Sequence, residues 1–200
     1  MSANVVSDVS AYIKYGNEKI TSSNNLKILG FMFGEKPSIH PHVDYIVQKA
    51  KKKLWSLRHV KKAGMQQSDL LNIFNSIIRP TLEYEAPTFH SMLTAEMAEE
   101  LEYIQRRPSK IIFGWDSHYS ELVSAGKIET LANRREKLTL NFAKKALQNE
   151  RFGGNWFPEK ISSGINLRKE NKFEKKFART KRLQNSPLFY MRRQLNKLYS

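Results

Sequence analysis

The segment from His42 to Lys62 most constrains the fold, because its apolar residues recur at the spacing of one helical face. Pro41 suits the start of a helix, and Gly64 suits the residue just after its end. The predicted buried stripe consists of Val43, Ile46, Val47, Ala50, Leu54 and Leu57. The opposite face mixes lysines with aromatic side chains, unless Tyr45 and Trp55 pack under a neighbouring element instead.

Three short polar side chains predict where further helices begin. Ser68, Thr94 and Thr130 each precede an apolar repeat of helical spacing, and such residues cap helix N-termini. The predicted helices run over Asp69–Arg79, from Thr94 onward, over Ser120–Ala125, and from Thr130 to about Gln148. Pro108 is expected to interrupt the second of them, because proline lacks the N–H group that a helix interior uses.

The two ends of the chain differ from this helical middle. Residues 9–15 and Leu26–Phe33 are typical of strands, which we expect to pair, and Ser186–Leu198 is an ordered segment after a basic linker over residues 161–185. The fold class is therefore predicted to be mainly α. Its parts are a small N-terminal β element (1–40), a helical bundle (41–150) and a basic C-terminal extension (151–200). The predicted core contains Leu29, Phe31, Ile46, Ala50, Leu54, Leu57, Leu71, Phe74, Ile78, Leu101, Ile104, Leu138 and Phe142.

The charge of the chain is concentrated in two segments. The 200 residues include 34 basic and 19 acidic side chains, for a net charge of +15. Residues 41–66 carry a net charge of +6 and residues 161–200 carry +9, so these two segments hold the whole excess. Clustered cations of this kind favour a polyanionic partner, most often nucleic acid. The alternative is a basic surface that only contacts solvent.

Composition excludes several classes of protein. The chain has no cysteine, which excludes disulfide scaffolds, zinc–thiolate sites, iron–sulfur sites and cysteine nucleophiles. No apolar run approaches the ~20 residues that span a bilayer. The first ten residues contain Asp8 and lack the basic-then-apolar pattern of a secretory signal. We therefore expect an intracellular protein without a membrane span, in the nucleus or the cytoplasm.

Candidates for catalysis are few. The aspartates Asp8, Asp44, Asp69 and Asp116 each stand alone, whereas two-metal phosphoryl transfer needs converging carboxylates. No residue nearby completes a metal site with His40-Pro41-His42, and no phosphate-binding loop occurs. The sequence predicts no catalytic residue, no metal ligand and no cofactor, although an unrecognised enzyme site stays a third hypothesis.

The candidate binding residues are cations of the two basic segments, two arginines outside them, and the rings of Trp55 and His59. Lysine and arginine neutralise phosphates, and aromatic side chains contact sugars or bases. The predicted nucleic-acid-binding residues are Lys49, Lys52, Lys53, Trp55, His59, Lys62, Arg106, Arg107, Arg179, Lys181, Arg182, Arg192 and Arg193.

Four blocks occur in an order that resembles a known family. They are LKILGFMFG, HVDYIVQKAKKKLWSLRHV, IIRPTLEYEAPTFHSM and LEYIQRRPSKIIFG. Together with the endings FGGNWFP and FARTKRLQNSPLFYMRRQLN, they resemble the C-terminal part of jockey-like non-LTR retrotransposon reverse transcriptases. The resemblance extends from about Asn25 to Asn196, and it marks the helical bundle as thumb-like.

The resemblance implies a thumb that grips a template–primer duplex, with the helix from Lys49 to Lys62 as its basic element. Residues 1–33 would be the last strands of the palm, and the Asp-Asp motif would lie upstream of Met1. The resemblance therefore implies no catalysis by this chain alone. Two residues depart from the family pattern: Pro108 follows the Gln-Arg-Arg block, and Glu85 occupies a position where a small residue is common.

Two functions remain open at this point. The first is sequence-independent binding of nucleic acid, as an RNA–DNA hybrid or a duplex. The second is a structural role in a larger protein assembly, in which the bundle is a scaffold, the basic tail docks an acidic partner and Ser186–Leu198 is an anchor helix.

Overall fold

The computed structural model describes residues 12–21, 23–34, 38–160 and 171–199. Its contacts divide the chain into two compact units, Met1–His42 and Val43–Ser200. Short β-hairpins precede a helical bundle, so the predicted mainly α fold class is confirmed. Among the described residues, no helix is both long enough and apolar enough to cross a membrane. The predicted three-part division of the chain stays a prediction.

The first unit contains two antiparallel hairpins, so the expected pairing of residues 9–15 with Leu26–Phe33 is wrong for the described residues 12–15, which pair with residues 18–21. Their strands are β1 (Tyr12–Tyr15), β2 (Glu18–Thr21), β3 (Asn25–Ile28) and β4 (Phe31–Gly34). The predicted strand Leu26–Phe33 is therefore wrong: its chain reverses at Leu29 and Gly30, and Leu26 pairs with Phe33. Both turn residues have positive φ, 50° and 94°, which matches the twist of a two-residue hairpin. Leu29 is 86% exposed at this turn, so its predicted place in the core is also wrong.

Within this unit, the second hairpin is tied to the residues that begin the first helix. The His42 imidazole stacks on the Phe31 ring with centroids 4.1 Å apart. Its Nδ1 accepts a hydrogen bond from the Met32 amide at 3.4 Å. Burial lowers the pKa of His42 to about 4, so the ring is neutral and remains an acceptor at neutral pH.

The helices follow in sequence order. They are α1 (His40–Lys62), α2 (Gln67–Ile73), a π-helical turn (Phe74–Ile78), α3 (Arg79–Glu83), α4 (Ala86–Phe89), a 3-10 turn (His90–Met92), α5 (Ala95–Phe113), α6 (Tyr119–Ser124), α7 (Leu131–Gln148), α8 (Gly153–Trp156), α9 (Lys181–Gln184) and α10 (Pro187–Tyr199). All six residues of the predicted stripe on α1 are buried. The apolar period of this segment therefore placed its buried face correctly.

The predicted helix starts are confirmed at two of three positions. The Thr94 and Thr130 hydroxyls accept hydrogen bonds from the amides of Met97 and Asn133, each at 3.3 Å. Ser68 does not cap α2, because the helix already begins at Gln67 after an extended Gln66. The helix begins two residues earlier than the polar signal indicates, at Gln67 rather than at Asp69.

Pro108 does not interrupt α5, so that expectation is wrong. The helix runs from Ala95 to Phe113 with Pro108 buried inside it. A proline in a helix interior costs about 3 kcal/mol. Burial of the flanking Ile104, Ile111 and Ile112 supplies apolar contacts on either side of it that offset this cost.

Helix α7 lies at the centre of the second unit and packs against α3, α4, α5, α8 and α10. Its buried positions are Leu131, Arg135, Thr139, Ala143 and Ala146. The predicted core residue Phe142 is 42% exposed, and Leu71 and Leu138 are half-buried. The spacing of apolar residues alone predicted the wrong buried face for α7, because the small alanines, and not Phe142, face the closest neighbouring helices.

The C-terminal extension folds back onto α7. A cluster of Ala143, Ala146, Phe157, Phe173, Met191 and Leu195 forms its core, with Phe157 and Phe173 nearly or fully buried. The predicted ordered segment Ser186–Leu198 is confirmed as α10. The predicted linker is wrong for residues 171–185, since Phe173 is a core residue that forms a bridge with Glu159. Residues 161–170 lie outside the described residues.

Two adjacent glycines provide a test of how tightly α8 packs. A Cβ atom added at Gly153 would overlap the backbone carbonyl of Leu147, whereas one added at Gly154 would meet nothing within 4 Å. We expect Gly153→Ala to lower the free energy of unfolding by about 1–3 kcal/mol, because backbone atoms must move. Gly154→Ala is the matched control and should stabilise the protein slightly. Urea unfolding that gives both variants equal stability would contradict this packing.

Protonation of His42 should loosen the second hairpin in acid. Its folded-state pKa of about 4 lies below the ordinary 6.5, so the stability it provides is complete above pH 6.5 and is lost as pH falls towards 4. We expect a loss of about 1.4 kcal/mol per pH unit in this window, relative to a His42→Phe variant that keeps the ring but does not titrate. Urea unfolding at pH 7, 6 and 5 measures the difference. Parallel curves for the two proteins would contradict a buried neutral His42.

Candidate nucleic-acid interface

The last turn of α5 is joined to the end of α1 and to the start of α2 by side chains that donate to its backbone carbonyls. The Lys61 ammonium donates to the carbonyl of Ile111, and the Gln67 amide donates to that of Ile112 at 3.4 Å. These carbonyls belong to the last turn of α5, where no further amide is available to them. The Lys61 hydrogen bond therefore holds the ends of α1 and α5 together, and both of these ends carry cations.

A cleft of about 320 Å³ lies where these helix ends meet. It is lined by Arg58, Tyr103, Arg106, Arg107, Lys110, Ile111 and Trp115, which we call the basic cleft. Four of the lining residues are cations and two are aromatic, and no carboxylate is among them in the described part of the chain. Of these residues, sequence analysis identified Arg106 and Arg107.

Cations and rings of the basic cleft lie directly over one another. The Arg107 guanidinium is 5.9 Å from the centre of the Tyr103 ring, and the Lys110 ammonium is 5.8 Å from that of Trp115. Tyr103 is 54% exposed and Trp115 is 76% exposed. Cation–π contacts of this kind hold exposed cations and rings in place beside each other. The cleft thus offers positive charge and flat apolar surface together.

The exposed face of α1 continues from this cleft. Arg58 lies three residues after Trp55 and four before Lys62, so these side chains are neighbours on the helix surface. Trp55 is 62% exposed, and its ring lies 3.8 Å from that of His59. Lys49 and Lys52 are exposed further along the same helix. Trp55, His59 and Lys62 therefore lie near Arg58 of the basic cleft on the exposed face of α1, Lys49 and Lys52 are exposed nearer the start of the helix, and Lys53 is the exception.

Lys53 faces the bundle. Its ammonium donates to the Ile77 carbonyl at 2.9 Å and to the Thr81 hydroxyl at 2.6 Å. Burial and the charge of Lys49 lower the pKa of Lys53. This lysine links α1 to the following helices, and its ammonium donates two of its hydrogen bonds within the protein.

The positive charge of Arg106 is also partly balanced within the protein. It forms an ion pair with Glu99 at 2.9 Å and lies 5.8 Å from the Tyr119 ring. Its charge therefore contributes less to the basic cleft than that of Arg107.

The predicted residues of the extension lie elsewhere. Arg179, Lys181 and Arg182 are exposed around the start of α9, and Arg193 is exposed on α10, whereas Arg192 is buried. Arg192 and Arg193 line a second cleft that shares no lining residue with the first, among the residues described. The structure thus does not bring the predicted residues into one site.

Some of the cleft residues that sequence analysis missed could have been identified from their spacing in the sequence. Tyr103 and Arg107 are four residues apart on α5, as are Arg106 and Lys110, so each pair shares a helix face. The contribution of Arg58 and Trp115 had no such signal, because it depends on how α1 and the segment after α5 pack.

A buried polar group on α5 serves the fold. The Tyr119 hydroxyl donates to Glu102, and the Gln105 amide donates to the Tyr119 oxygen at 2.8 Å and to the Glu129 carbonyl at 2.7 Å. Burial and the hydrogen bond to Glu102 raise the pKa of Tyr119, so the phenol stays protonated. Within the described ranges, no group of three histidines or carboxylates could hold a metal ion.

Comparison of the chain with protein-family profiles, with curated protein sequences and with solved structures gives no match in any of the three.

Neighbouring lysines on α1 test the distinction between structural and surface cations. We expect Lys53→Met to lower the free energy of unfolding by about 1–2 kcal/mol, because Lys53 no longer donates to the Thr81 hydroxyl and the Ile77 carbonyl, which keep the hydrogen bond between them. Lys52→Met removes the same charge from an exposed position and should change stability by less than about 0.5 kcal/mol. Urea denaturation of both variants provides the measurement, and a Lys53→Met variant as stable as Lys52→Met would refute the structural role.

Proposed function

We propose that the protein binds double-stranded nucleic acid, as DNA or an RNA–DNA hybrid and without sequence preference. The contact surface consists of the exposed face of α1 and the basic cleft. The observation that carries this proposal is the cleft itself, where Arg107 and Lys110 lie over the exposed rings of Tyr103 and Trp115. Such a site offers its cations to phosphates and its rings to sugars.

The dimensions of α1 suit a nucleic-acid backbone. The residues from Lys49 to Lys62 span about 20 Å at the helical rise of ~1.5 Å per residue. Phosphates of one strand advance by ~3.4 Å per base pair, so this face can follow roughly six of them. Backbone contacts of this kind carry no sequence information, which is why the proposed binding is not sequence-specific.

The family resemblance supports the same proposal independently. In jockey-like reverse transcriptases the corresponding basic helix belongs to the thumb, and here that block is α1. On this proposal the chain is a thumb and C-terminal region that holds a template–primer duplex, and it is catalytically incompetent alone.

The scaffold alternative has weaker support. Its anchor would be the apolar face of α10, but Met191 and Leu195 of that face are buried in the protein's own core. The Tyr190 hydroxyl lies 3.2 Å from Nε2 of His90 in the same unit. The helix is thus already engaged within its own chain, whereas the basic cleft remains open.

Charge reversal on the proposed surface tests the function. We expect Lys52→Glu combined with Arg107→Glu to weaken binding to an RNA–DNA hybrid at least tenfold, and to reduce the slope of log affinity against log salt by about 2. Lys145→Glu, at an exposed position on α7, is the control, and its single charge reversal matches that of Arg107→Glu alone. Fluorescence anisotropy with hybrid, duplex DNA and single-stranded RNA over a salt series measures both quantities.

The outcomes separate the proposal from its competitors. If a single Arg107→Glu reversal and Lys145→Glu weaken binding equally, the protein attracts polyanions only by net charge and the proposed surface is wrong. Trp115→Ala should weaken binding to the hybrid but leave polyglutamate binding unchanged, because only a nucleic acid presents sugars and bases to the ring. Equal loss for both ligands would instead favour an acidic protein partner.

A further inference from the structure

A second cleft, of about 410 Å³, lies in the C-terminal extension. The residues that matter for its chemistry are Lys175, Lys176, Phe177, Phe189, Arg192 and Arg193. We call it the C-terminal cleft. It combines four cations with two phenylalanine rings, and neither the proposed duplex interface nor the family resemblance accounts for this combination.

Hydrogen bonds fix the walls of the C-terminal cleft. The buried Asn196 side chain accepts a hydrogen bond from the Phe173 amide at 2.8 Å and donates to the Phe173 carbonyl at 3.0 Å. The Glu174 amide donates to the Pro158 carbonyl at 2.9 Å. Residues 173 and 174 are thus bound to α10 on one side and to residues 158–160 on the other. The backbone that leads directly to Lys175, Lys176 and Phe177 is anchored rather than free.

Arg192 is the unusual group in this cleft. It is only 7% exposed, and its Nη2 donates to the Trp156 carbonyl at 2.7 Å. Its Nε and Nη1 are buried and have no hydrogen-bond partner among the described residues. Burial lowers the pKa of Arg192, and the charge of Glu174 acts in the opposite direction. A buried guanidinium with unpartnered donors is costly, so an anion bound beside it would be strongly favoured.

The rings of the cleft indicate what accompanies that anion. Phe177 is 89% exposed, although phenylalanine is usually buried. The Arg192 guanidinium lies 5.9 Å from the centre of the Phe189 ring. A flat heteroaromatic ligand would cover the Phe177 ring and remove apolar surface from water, as bases do on aromatic side chains.

We propose that the C-terminal cleft binds one unstacked nucleotide, whose phosphate contacts Arg192, Lys175, Lys176 and Arg193 and whose base stacks on Phe177. The shared chemistry is a phosphate joined to a heteroaromatic base, which a free mononucleotide or a nucleotide within a single strand can supply. This proposal does not rest on the duplex interface of α1 and α5.

Calorimetric titration of the full chain tests the two halves of the site. We expect adenosine monophosphate to bind at least tenfold more tightly than adenosine or inorganic phosphate, because only the monophosphate engages both cations and ring. Lys175→Glu with Lys176→Glu should weaken binding of the monophosphate at least tenfold. Phe177→Ala should reduce its affinity to that of inorganic phosphate. These three positions are exposed, so the variants should keep the fold.

Two charge reversals outside the cleft are the controls. Lys145→Glu and Lys127→Glu, both at exposed positions that line neither cleft, should leave the affinity for the monophosphate unchanged, and an equal loss in either would overturn the site. An oligonucleotide of five adenosines distinguishes the sources. Tighter binding than the monophosphate, with the same sensitivity to Phe177→Ala, identifies a single strand as the ligand. Binding of neither probe, or binding unaffected by Phe177→Ala, overturns the proposal.

Arg192→Met separates a ligand contact from a merely structural role. Methionine fills similar space and removes the buried charge, but the Trp156 carbonyl loses its donor, so the readout is the ligand-induced change in Tm and not the stability of the free variant. Adenosine monophosphate should raise the Tm of the wild type and leave that of the variant unchanged. A variant that is destabilised but still shifts its Tm with the ligand would show that Arg192 only supports the fold, and would overturn its assignment to the phosphate.

Discussion

The packing of small side chains on α7 is the constraint on which the rest of the second unit depends. Ala143 and Ala146 are buried, and they let α8 and α10 lie close to this helix. At its other end, two hydrogen bonds join the Arg134 guanidinium to the Glu83 carboxylate and tie α7 to α3. Since α5 and α10 pack on the same helix, both clefts derive their rigidity from it.

A chain with a net charge of +15 has many cations to accommodate, and three kinds of environment for them occur among the described residues. Some are used internally, as when Lys53 and Lys61 donate to backbone carbonyls. Others are balanced by carboxylates, as Arg134 is by Glu83. Others lie over rings, as Arg107 lies over Tyr103. A cation of this third kind stays available to a polyanion, because a ring stabilises a cation without neutralising it.

Sequence predicted the parts of this structure that one element determines by itself. The buried stripe of α1 follows from its period, and the Thr94 and Thr130 caps follow from side chains that satisfy amides of their own helix. The turn at Leu29, with a positive φ in a leucine, and the continuous helix through Pro108 depend on their surroundings, so local rules gave the wrong answer. The exposed cationic face of α1 was likewise predicted from sequence, whereas the basic cleft depends on how α1 and α5 pack together, with Lys61 linking them.

Bringing like charges together costs free energy, and folding alone does not require it. A cluster of like charges is therefore informative about function. Arg58, Arg107 and Lys110 converge on one cleft, and no carboxylate of the described residues lines it. Their mutual repulsion lowers the stability of the free protein, and a bound polyanion would remove that repulsion as well as add its own contacts. A local rule broken in this way is typical of a binding surface rather than of the scaffold. The buried Arg192 breaks a different rule, because two of its buried donors have no hydrogen-bond partner among the described residues, and it too has a ring beside it. That recurrence argues for ligands that carry phosphate and aromatic surface together.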